Sequence, residues 1–367
     1  MPPEGSFISK GQKEMTRFSI LIPAFNSRKC IGALLDSIVK QKFKDLEVVI
    51  ADDRSTEPYD DIVAPYEEKL NIVKTRVRDG LQHCPGNTRQ AALEKASGDW
   101  LIFADHDDRF ALKALDKYSN FIDKHPEAVV ISSQFDEVSP DGRVLKHYQT
   151  VHGWTHGQIY KRSFIEQHGI NFIFDKEKGE SILSHEDILW SSRVTCALNH
   201  EKIEPVTLSA VTYYWTAHPE SASRRETGLF IANHFGEYIQ STGYAYLEYF
   251  KKYGEEAKEF VRYHGTAAIL YCYFYSQGEI FRKSALNQAD TIIYENFTLA
   301  KAYVQEFETL LGMTNADVLL YSSRDLGQYF WRTMENAAIA VGYFIPFMTL
   351  ERYLEIVGLP NEEEQNG

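Results

Sequence analysis

The amino-acid sequence predicts an α/β fold: a mostly parallel sheet with helices on both faces, followed by a mainly α-helical C-terminal region. Three observations predict it. Short apolar runs alternate with amphipathic stretches through the first third of the chain. The runs are continuous rather than alternating, as strands buried on both faces require. From about Tyr244 the texture changes to aromatic-rich helical patterns without strand signals.

Phe18–Ile22 (FSILI) is a strand-like run closed by Pro23. Ile31, Leu34, Leu35, Ile38 and Val39 follow at i, i+3, i+4, i+7 and i+8, which puts one apolar stripe on a helix. Leu46–Ala51 (LEVVIA) is a second strand and Asn71–Thr75 a third. A helix is expected from Asn87 to Ala96, with Ser97-Gly98 as its C-cap. Trp100–Ala104 (WLIFA) is the next strand. Ala111–His125 is the next helix, pointing Leu112, Leu115, Tyr118 and Phe121/Ile122 inward, and Ala128–Ser132 closes the series. Strand–helix–strand repetition argues for parallel pairing, and such sheets take ligands beyond the carboxyl ends of their strands.

A chain of 367 residues exceeds one ordinary domain. The expected division is a disordered tail over 1–17, an α/β domain over 18–230, a helical domain over 231–358 and an acidic tail over 359–367. With 44% hydrophobic and 25% charged residues, wholesale disorder, a collagenous rod and a disulfide scaffold are excluded. Cys30, Cys84, Cys196 and Cys272 are scattered without metal-ligand spacing and read as reduced thiols. The first 17 residues carry no apolar stretch of signal-peptide type, and no run is long enough to span a bilayer. A cytoplasmic protein is expected, with peripheral contact at the inner face of the membrane left open. The formal net charge of −13 speaks against nucleic acid as a partner. It also means that an anionic ligand needs help to bind.

Two acidic clusters directly follow strands: Asp52-Asp53 after LEVVIA, and Asp105-His106-Asp107-Asp108 after WLIFA. In a parallel sheet both emerge on one edge, where the carboxylates repel one another and any phosphate. A divalent cation resolves both conflicts, and hard oxygen ligands suit Mg²⁺ or Mn²⁺. One D-x-D alone is equally an ordinary solvated turn; the pairing of two such clusters is what argues for a site. Downstream, Glu186-Asp187 opens an apolar helical run of Ile188, Leu189 and Val194. A helix N-terminus favours ionised carboxylates. Spacing alone is satisfied equally by a cap and by a general base. No G-x-G-x-x-G follows the first strand and no G-x-x-x-x-G-K-[ST] occurs, so neither nicotinamide nor P-loop chemistry is implied.

SILIPAFN (Ser19–Asn26), VVIADDRST (Val48–Thr56), NTRQAALEKASGDWLIFADHDD (Asn87–Asp108) and HED (His185–Asp187) occur in this order and spacing. With them the chain resembles a family 2 glycosyltransferase of the GT-A, Rossmann-like fold over about residues 18–225. The resemblance implies a metal-dependent, inverting transfer from a nucleotide-sugar, most often UDP-linked, with Mn²⁺ or Mg²⁺ as cofactor. The acceptor would be a hydroxyl of a glycan or glycolipid, in surface polysaccharide or glycoconjugate synthesis. It further implies that Pro23, Ala24 and Phe25 line the base, and that Asp52, with Asp53, accepts from base or ribose. Asp105 and Asp107 would form the metal and diphosphate motif, with Asp107 on the metal and Asp105 toward ribose or donor sugar. Arg89 and His106 fall on the donor side. Asp187 is the implied base, with Glu186 next.

His218, in the stretch Tyr213–His218, is either a third metal ligand or a surface histidine, and Arg224 and Arg225 suit phosphate. The chain departs from the family pattern at His106, where a small residue or Ser is common. It also departs at Arg54, in place of the Gly of DDGS, and at Thr88-Arg89-Gln90, in place of Ala-Arg-Asn. Arg54 reads as an exposed turn residue, and His152, His156 and His185 as weak acceptor-side candidates. Trp154 suits a sugar face or the core equally. The C-terminal aromatics fit core packing, an acceptor groove or a homodimer face. A sugar-nucleotide nucleotidyltransferase is the alternative enzyme, but it needs a Gly-rich basic loop where Pro23–Arg28 reads PAFNSR. A binding or assembly protein that kept the nucleotide fold is the non-enzymatic alternative.

Overall fold

The computed structural model describes residues 16–149, 154–218 and 228–265, with scattered residues onward to 312. The elements begin β1 (Phe18–Ala24), α1 (Ile31–Val39), β2 (Leu46–Asp52), α2 (Asp60–Glu67), β3 (Asn71–Arg76), α3 (Pro85–Leu93) and β4 (Trp100–Phe103). Next come β5 (Arg109–Phe110), α4 (Ala114–Lys124), β6 (Val130–Val138), β7 (Val144–Tyr148), β8 (Gln158–Lys161) and α5 (Arg162–His168). The last are β9 (Ile173–Asp175), β10 (Glu180–Ser181), α6 (Glu186–Glu201), β11 (Val206–Thr216), α7 (Gly228–Tyr253) and α8 (Glu255–Phe260).

The main sheet has the order β3-β2-β1-β4-β8-β6-β11-β5, with β7 paired to β6. Strands β3, β2, β1 and β4 are mutually parallel. Strand β8 runs antiparallel to both β4 and β6, and β11 is parallel to β6. The strands β1, β2, β3, β4, β6 and β11 therefore share one direction, as the apolar runs predict, while β5, β7 and β8 run against them. Along β1 the side chains alternate between two cores. Phe18, Ile20, Ile22 and Ala24 join α1 and α4, whereas Leu21 joins Phe103, Phe164 and Trp190 on the other face. Burial on both faces is why the run is unbroken in sequence.

Pairing between β1 and β4 stops at Leu21 with Phe103, while β1 and β2 stay paired through Ala24 with Asp52. The carboxyl edge thus opens between β1 and β4, where strand order reverses and α/β sheets take their ligands. Leu21 O, facing β4, accepts from Ala104 N, and Ala24 O, facing β2, accepts from Asp53 N. Pro23 shares the facing of Leu21 but lies past the last β1–β4 pair, so its missing N–H breaks no ladder bond.

Several local expectations shift. Helix α3 starts at Pro85, with the Cys84 side chain accepting from Asn87 N, and ends at Leu93. Gly98 is therefore not its C-cap. A Cβ at Gly98 would lie 2.6 Å from Ser19 N, so the glycine is needed for a close approach to β1. Helix α4 starts at Ala114, which leaves Leu112 ahead of it and 70% exposed rather than inward; Leu115, Tyr118 and Ile122 are buried as expected. The boundary expected at 230/231 falls in the first turn of α7. Cys30, Cys84 and Cys196 are free thiols, while Cys272, residues 1–15 of the predicted N-terminal tail and the predicted acidic tail lie outside the described residues. Arg17, placed in that N-terminal tail, is instead tied to Ser119 O and Asp123.

Helix α6 is anchored by Trp190, which stacks on Phe172 (4.6 Å, 11°) and meets Phe103 and Tyr160 edge-on at 5.0 and 5.4 Å. On its other side α6 packs against α7, where Cys196, Ile239, Tyr246, Leu247 and Tyr249 form a third core. Of the described aromatics of this region, Tyr246 and Tyr249 are buried in that core. Among the described residues no helix is long and apolar enough to cross a membrane.

Candidate active site

The loop after β4 supplies four consecutive polar groups with different fates. Asp108 is buried, and both its oxygens are engaged: Oδ2 accepts from Tyr213 Oη (2.8 Å) and Oδ1 from Thr216 N (2.7 Å). Burial pushes its carboxyl well above the usual range, against the opposing pull of His156. Asp105 N donates back to Tyr213 Oη at 3.0 Å, so one tyrosine of β11 pins both ends of the loop. His156 lies with Nε2 3.4 Å from Asp105 and 3.7 Å from Asp108. Burial alone would lower its pKa, but the two carboxylates raise it. The histidine thus sits between two acids of the loop, whereas the sequence offered it only as a weak acceptor-side candidate.

Arg89, on α3, joins this loop to α6. Its Nη2 donates to Asp105 Oδ1 at 2.6 Å, and its Nη1 makes a short bond to Glu186 Oε1. The guanidinium holds the Asp105 carboxyl well below the usual range in spite of burial. Glu186 is pushed up to about 7, because full burial, aided by nearby Asp187, outweighs the attraction of Arg89. The close approach depends on Gly86, since a Cβ there would collide with Ser181 and lie 2.9 Å from Glu186 Cβ. Asp187, the next residue, is only partly buried, and its Oδ1 accepts from Ile188 N at 2.9 Å. The two neighbouring carboxylates are thereby separated in character: Glu186 is buried in an ion pair, and Asp187 is partly exposed.

Asp107 and His218 stand at the outer rim, with Nε2 and Oδ2 3.8 Å apart. Their side chains are 29% and 36% exposed, yet His218 Nε2 itself is buried and has no hydrogen-bond partner. An orphaned nitrogen facing a carboxylate fits a divalent cation of the Mn²⁺ or Mg²⁺ kind, with open positions left for water or phosphate oxygens. A second group of ligand-type atoms, from Asp105, Asp108 and His156, lies within 4.8 Å of one another. In that group Asp108 has both oxygens bonded and Asp105 is paired with Arg89, while both ring nitrogens of His156 are buried without a hydrogen-bond partner. Of the two groups, the outer pair is the more exposed.

The other end of the opening is formed after β1 and β2. Pro23 and Ala24 are buried within β1, so of the three residues expected to line a base only Phe25, 46% exposed, offers its ring to solvent. It faces His83 at a centroid distance of 5.6 Å. Asp52 accepts from Ser55 N at 3.2 Å and Tyr59 Oη at 3.2 Å. Asp53 is buried and paired with Arg54 at 2.9 Å and His83 at 3.3 Å. Arg54 is not an exposed turn residue. Its side chain is 12% exposed, Nη1 donates to Leu81 O at 2.7 Å, and its φ of 58° is left-handed. That backbone explains why glycine is usual here, and the two side-chain bonds offset the strain. His106 is half-buried beside Asp105. Trp154 packs with Tyr148 and Trp215 against the core at 5.6 and 5.5 Å. His152, Arg224 and Arg225 lie outside the described residues.

Sequence reasoning missed His83, gave Tyr213 no role of its own and ranked His156 only as a weak acceptor-side candidate. No local signal could have found His156, because it reaches the site on the approach to β8, a strand inserted against the direction of its neighbours. Tyr213 had one available signal, its place in the last apolar run before Thr216.

Residues 19–182 match the family model Glycosyl transferase family 2. The poly(ribitol-phosphate) beta-N-acetylglucosaminyltransferase TarS of Staphylococcus aureus is 30% identical over 220 residues, 56% of this chain and 36% of that protein. The poly(ribitol-phosphate) beta-glucosyltransferase of Bacillus spizizenii is 28% identical over 170 residues, 42% of this chain and 27% of that one. The chain thus aligns with about a third of the length of the curated relatives it matches. The crystal structure of S. aureus TarS 1-349 in complex with UDP is 22% identical, with a TM-score of 0.47 over 79% of this chain and 92% of that one.

Proposed function

We propose, from the premise that this chain belongs to glycosyl transferase family 2, that it moves a sugar from a nucleotide-diphosphate donor to a hydroxyl of a cell-surface glycan or glycolipid. One observation carries the reading. Arg89 bridges Asp105, on the loop after β4, to Glu186, at the start of α6, and so ties the acidic loop to the helix that carries Asp187. The named relatives transfer N-acetylglucosamine and glucose to poly(ribitol-phosphate), which makes a UDP-linked hexose the donor to test first.

In this reading Phe25 stacks on the base, and Asp52 accepts from base or ribose. Asp107 and His218 would hold Mn²⁺ or Mg²⁺, which when bound supplies positive charge where the leaving diphosphate gains negative charge. Arg224 and Arg225 remain candidates for the same diphosphate. Asp187 takes the proton from the acceptor hydroxyl as its oxygen attacks the anomeric carbon from the face opposite the diphosphate, so the configuration inverts. Glu186 is less suited to that role because its carboxyl is buried against Arg89. Asp105, held ionised by Arg89, accepts hydrogen bonds from donor hydroxyls. Alignment of donor and acceptor lowers the barrier further.

The test is a thermal-shift panel of UDP-GlcNAc, UDP-glucose and other nucleotide-sugars, each with and without Mn²⁺. A Mn²⁺-dependent upward shift with a UDP-sugar, lost in Asp107→Ala, is expected. Asp187→Asn should keep that shift and lower turnover by about 10²–10⁴-fold. Absence of any nucleotide-dependent shift in the wild type would remove the donor assignment. Normal turnover by Asp187→Asn would remove the base.

A further inference from the structure

The segment that delivers Asp187 is held by more than its own local bonds. His185, immediately ahead of α6, has φ 56° and ψ 28°, and it makes no side-chain cap bond to the helix. A non-glycine residue in that left-handed conformation costs about 1–2 kcal/mol and persists only where surrounding structure enforces it. His185 O accepts from Ile188 N and Leu189 N of α6 at 3.1 and 3.2 Å, and further contacts come from α7. Ser184 N and Ser184 Oγ both donate to Glu237 Oε2, at 2.6 and 2.7 Å. Because the single hydroxyl proton of Ser184 is used there, its Oγ accepts from His185 Nδ1–H at 3.0 Å. The His185 ring then lies flat on Tyr238, with centroids 5.0 Å apart and planes 10° from parallel. Helix α7 is in turn fastened to α6, where Arg193 donates to Glu248 at 2.6 and 3.0 Å within the shared apolar packing.

We propose that Glu237 and Tyr238 are positioning residues for Asp187: the helical region's first helix sets the base's approach by gripping the two residues before Glu186-Asp187. This inference rests on the reading of Asp187 as the base. It gives α7 a duty within the catalytic unit, in addition to any acceptor or homodimer contact made elsewhere in the region. A carboxylate near the start of α6 is also favoured by the helix dipole, so Glu237 suits its place electrostatically.

The consequence is a loss of rate without a loss of donor binding, since the grip touches neither Phe25 nor the cation rim. Misplacement of a reacting group by about 1 Å can cost on the order of 10²-fold. UDP release from UDP-GlcNAc with Mn²⁺, water serving as acceptor, is the readout for the full-length protein. Glu237→Ala should lower kcat by about 10–100-fold with KM unchanged within about twofold. Glu237→Gln keeps an acceptor oxygen and should stay within about threefold of wild type. Tyr238→Phe keeps the stacked ring and should behave likewise, whereas Tyr238→Ala should not. In an Asp187→Asn background Glu237→Ala should add less than about twofold, because the residue it positions is already disabled.

Hydrogen exchange at the Ser184 amide supplies an arm that needs no turnover. Protection there should fall in Glu237→Ala and be restored in Glu237→Gln. Unchanged exchange, or a Glu237→Ala effect undiminished in the Asp187→Asn background, would overturn the positioning role. If wild-type protein releases no UDP from any UDP-sugar while exchange responds as expected, the transferase reading fails and the α7 contact remains a structural brace without a catalytic consequence. The two failures are thereby distinguishable.

Discussion

Replacing Arg89 with methionine tests the bridge between the two halves of the site. The side chain is 7% exposed and contacts Asp105 at 2.6 Å and Glu186 more closely still. Two opposite charges about 4 Å apart attract by about 4 kcal/mol at an effective dielectric near 20. Two such attractions are partly cancelled by the several kcal/mol needed to desolvate a guanidinium. Removing one member of a buried pair therefore costs about 3–5 kcal/mol, because the partner carboxylate is left buried and uncompensated. Against a total stability of about 5–15 kcal/mol this is large but survivable. The assay is urea denaturation of wild type, Arg89→Met, Glu186→Gln and the double variant. The double variant should be more stable than Arg89→Met by at least about 1.5 kcal/mol, since a neutral amide replaces the orphaned charge.

The pH dependence has a definite sign. Glu186 is raised to about 7 in the folded protein. Its contribution to stability is therefore fully present below its unfolded pKa, near 4.3, and is lost as pH rises through about 7. Arg89 opposes that rise, so its removal makes the loss steeper. The deficit of Arg89→Met should be smaller at pH 5 than at pH 8. A deficit that is equal or smaller at pH 8, or a double variant no more stable than Arg89→Met, would refute the reasoning.

Three other expectations are independent of this one. Phe25→Ala should raise the KM for a UDP-sugar by about 3–15-fold, the value of one aromatic contact, with kcat little changed; a fall in kcat at constant KM would exclude a base-stacking role. Gly98→Ala should lower stability by about 1–3 kcal/mol in thermal melts, because the new Cβ would meet the backbone at Ser19; an unchanged Tm would show that the loop yields. Trp190→Ala should cost about 3–5 kcal/mol, since the ring is fully buried among Phe103, Tyr160 and Phe172. A cost under about 1 kcal/mol would mean that α6 is held chiefly by α7.

Much of the parallel half was legible because β1, β2 and β4 are buried on both faces and so read as continuous apolar runs. The acidic clusters were legible for a related reason: a parallel sheet brings the ends of β2 and β4 to one edge whatever else the chain does. Helix limits were less so. Leu112 fits the helical period but precedes the helix, and Gly98 looks like a cap while its role is a contact with Ser19. Arg54 looked exposed because turn residues usually are, and its partners at Asp53 and Leu81 come together only on folding.

By itself, then, the sequence determined the strand direction in the parallel half, the acidic edge and the presence of a carboxylate pair at the start of α6. Periodicity and adjacency are local properties and survive in one dimension. Only the tertiary structure decided the burial and the partners of each carboxylate. Glu186 and Asp187 are neighbours of equal charge on one helix turn, as are Asp105, Asp107 and Asp108 on one loop. Arg89 from α3, Tyr213 from β11, His156 ahead of β8 and Glu237 from α7 sort them into ion-paired, braced and open groups. Solvation and countercharge set the chemistry of a carboxylate, and both depend on residues distant in sequence that fold against it.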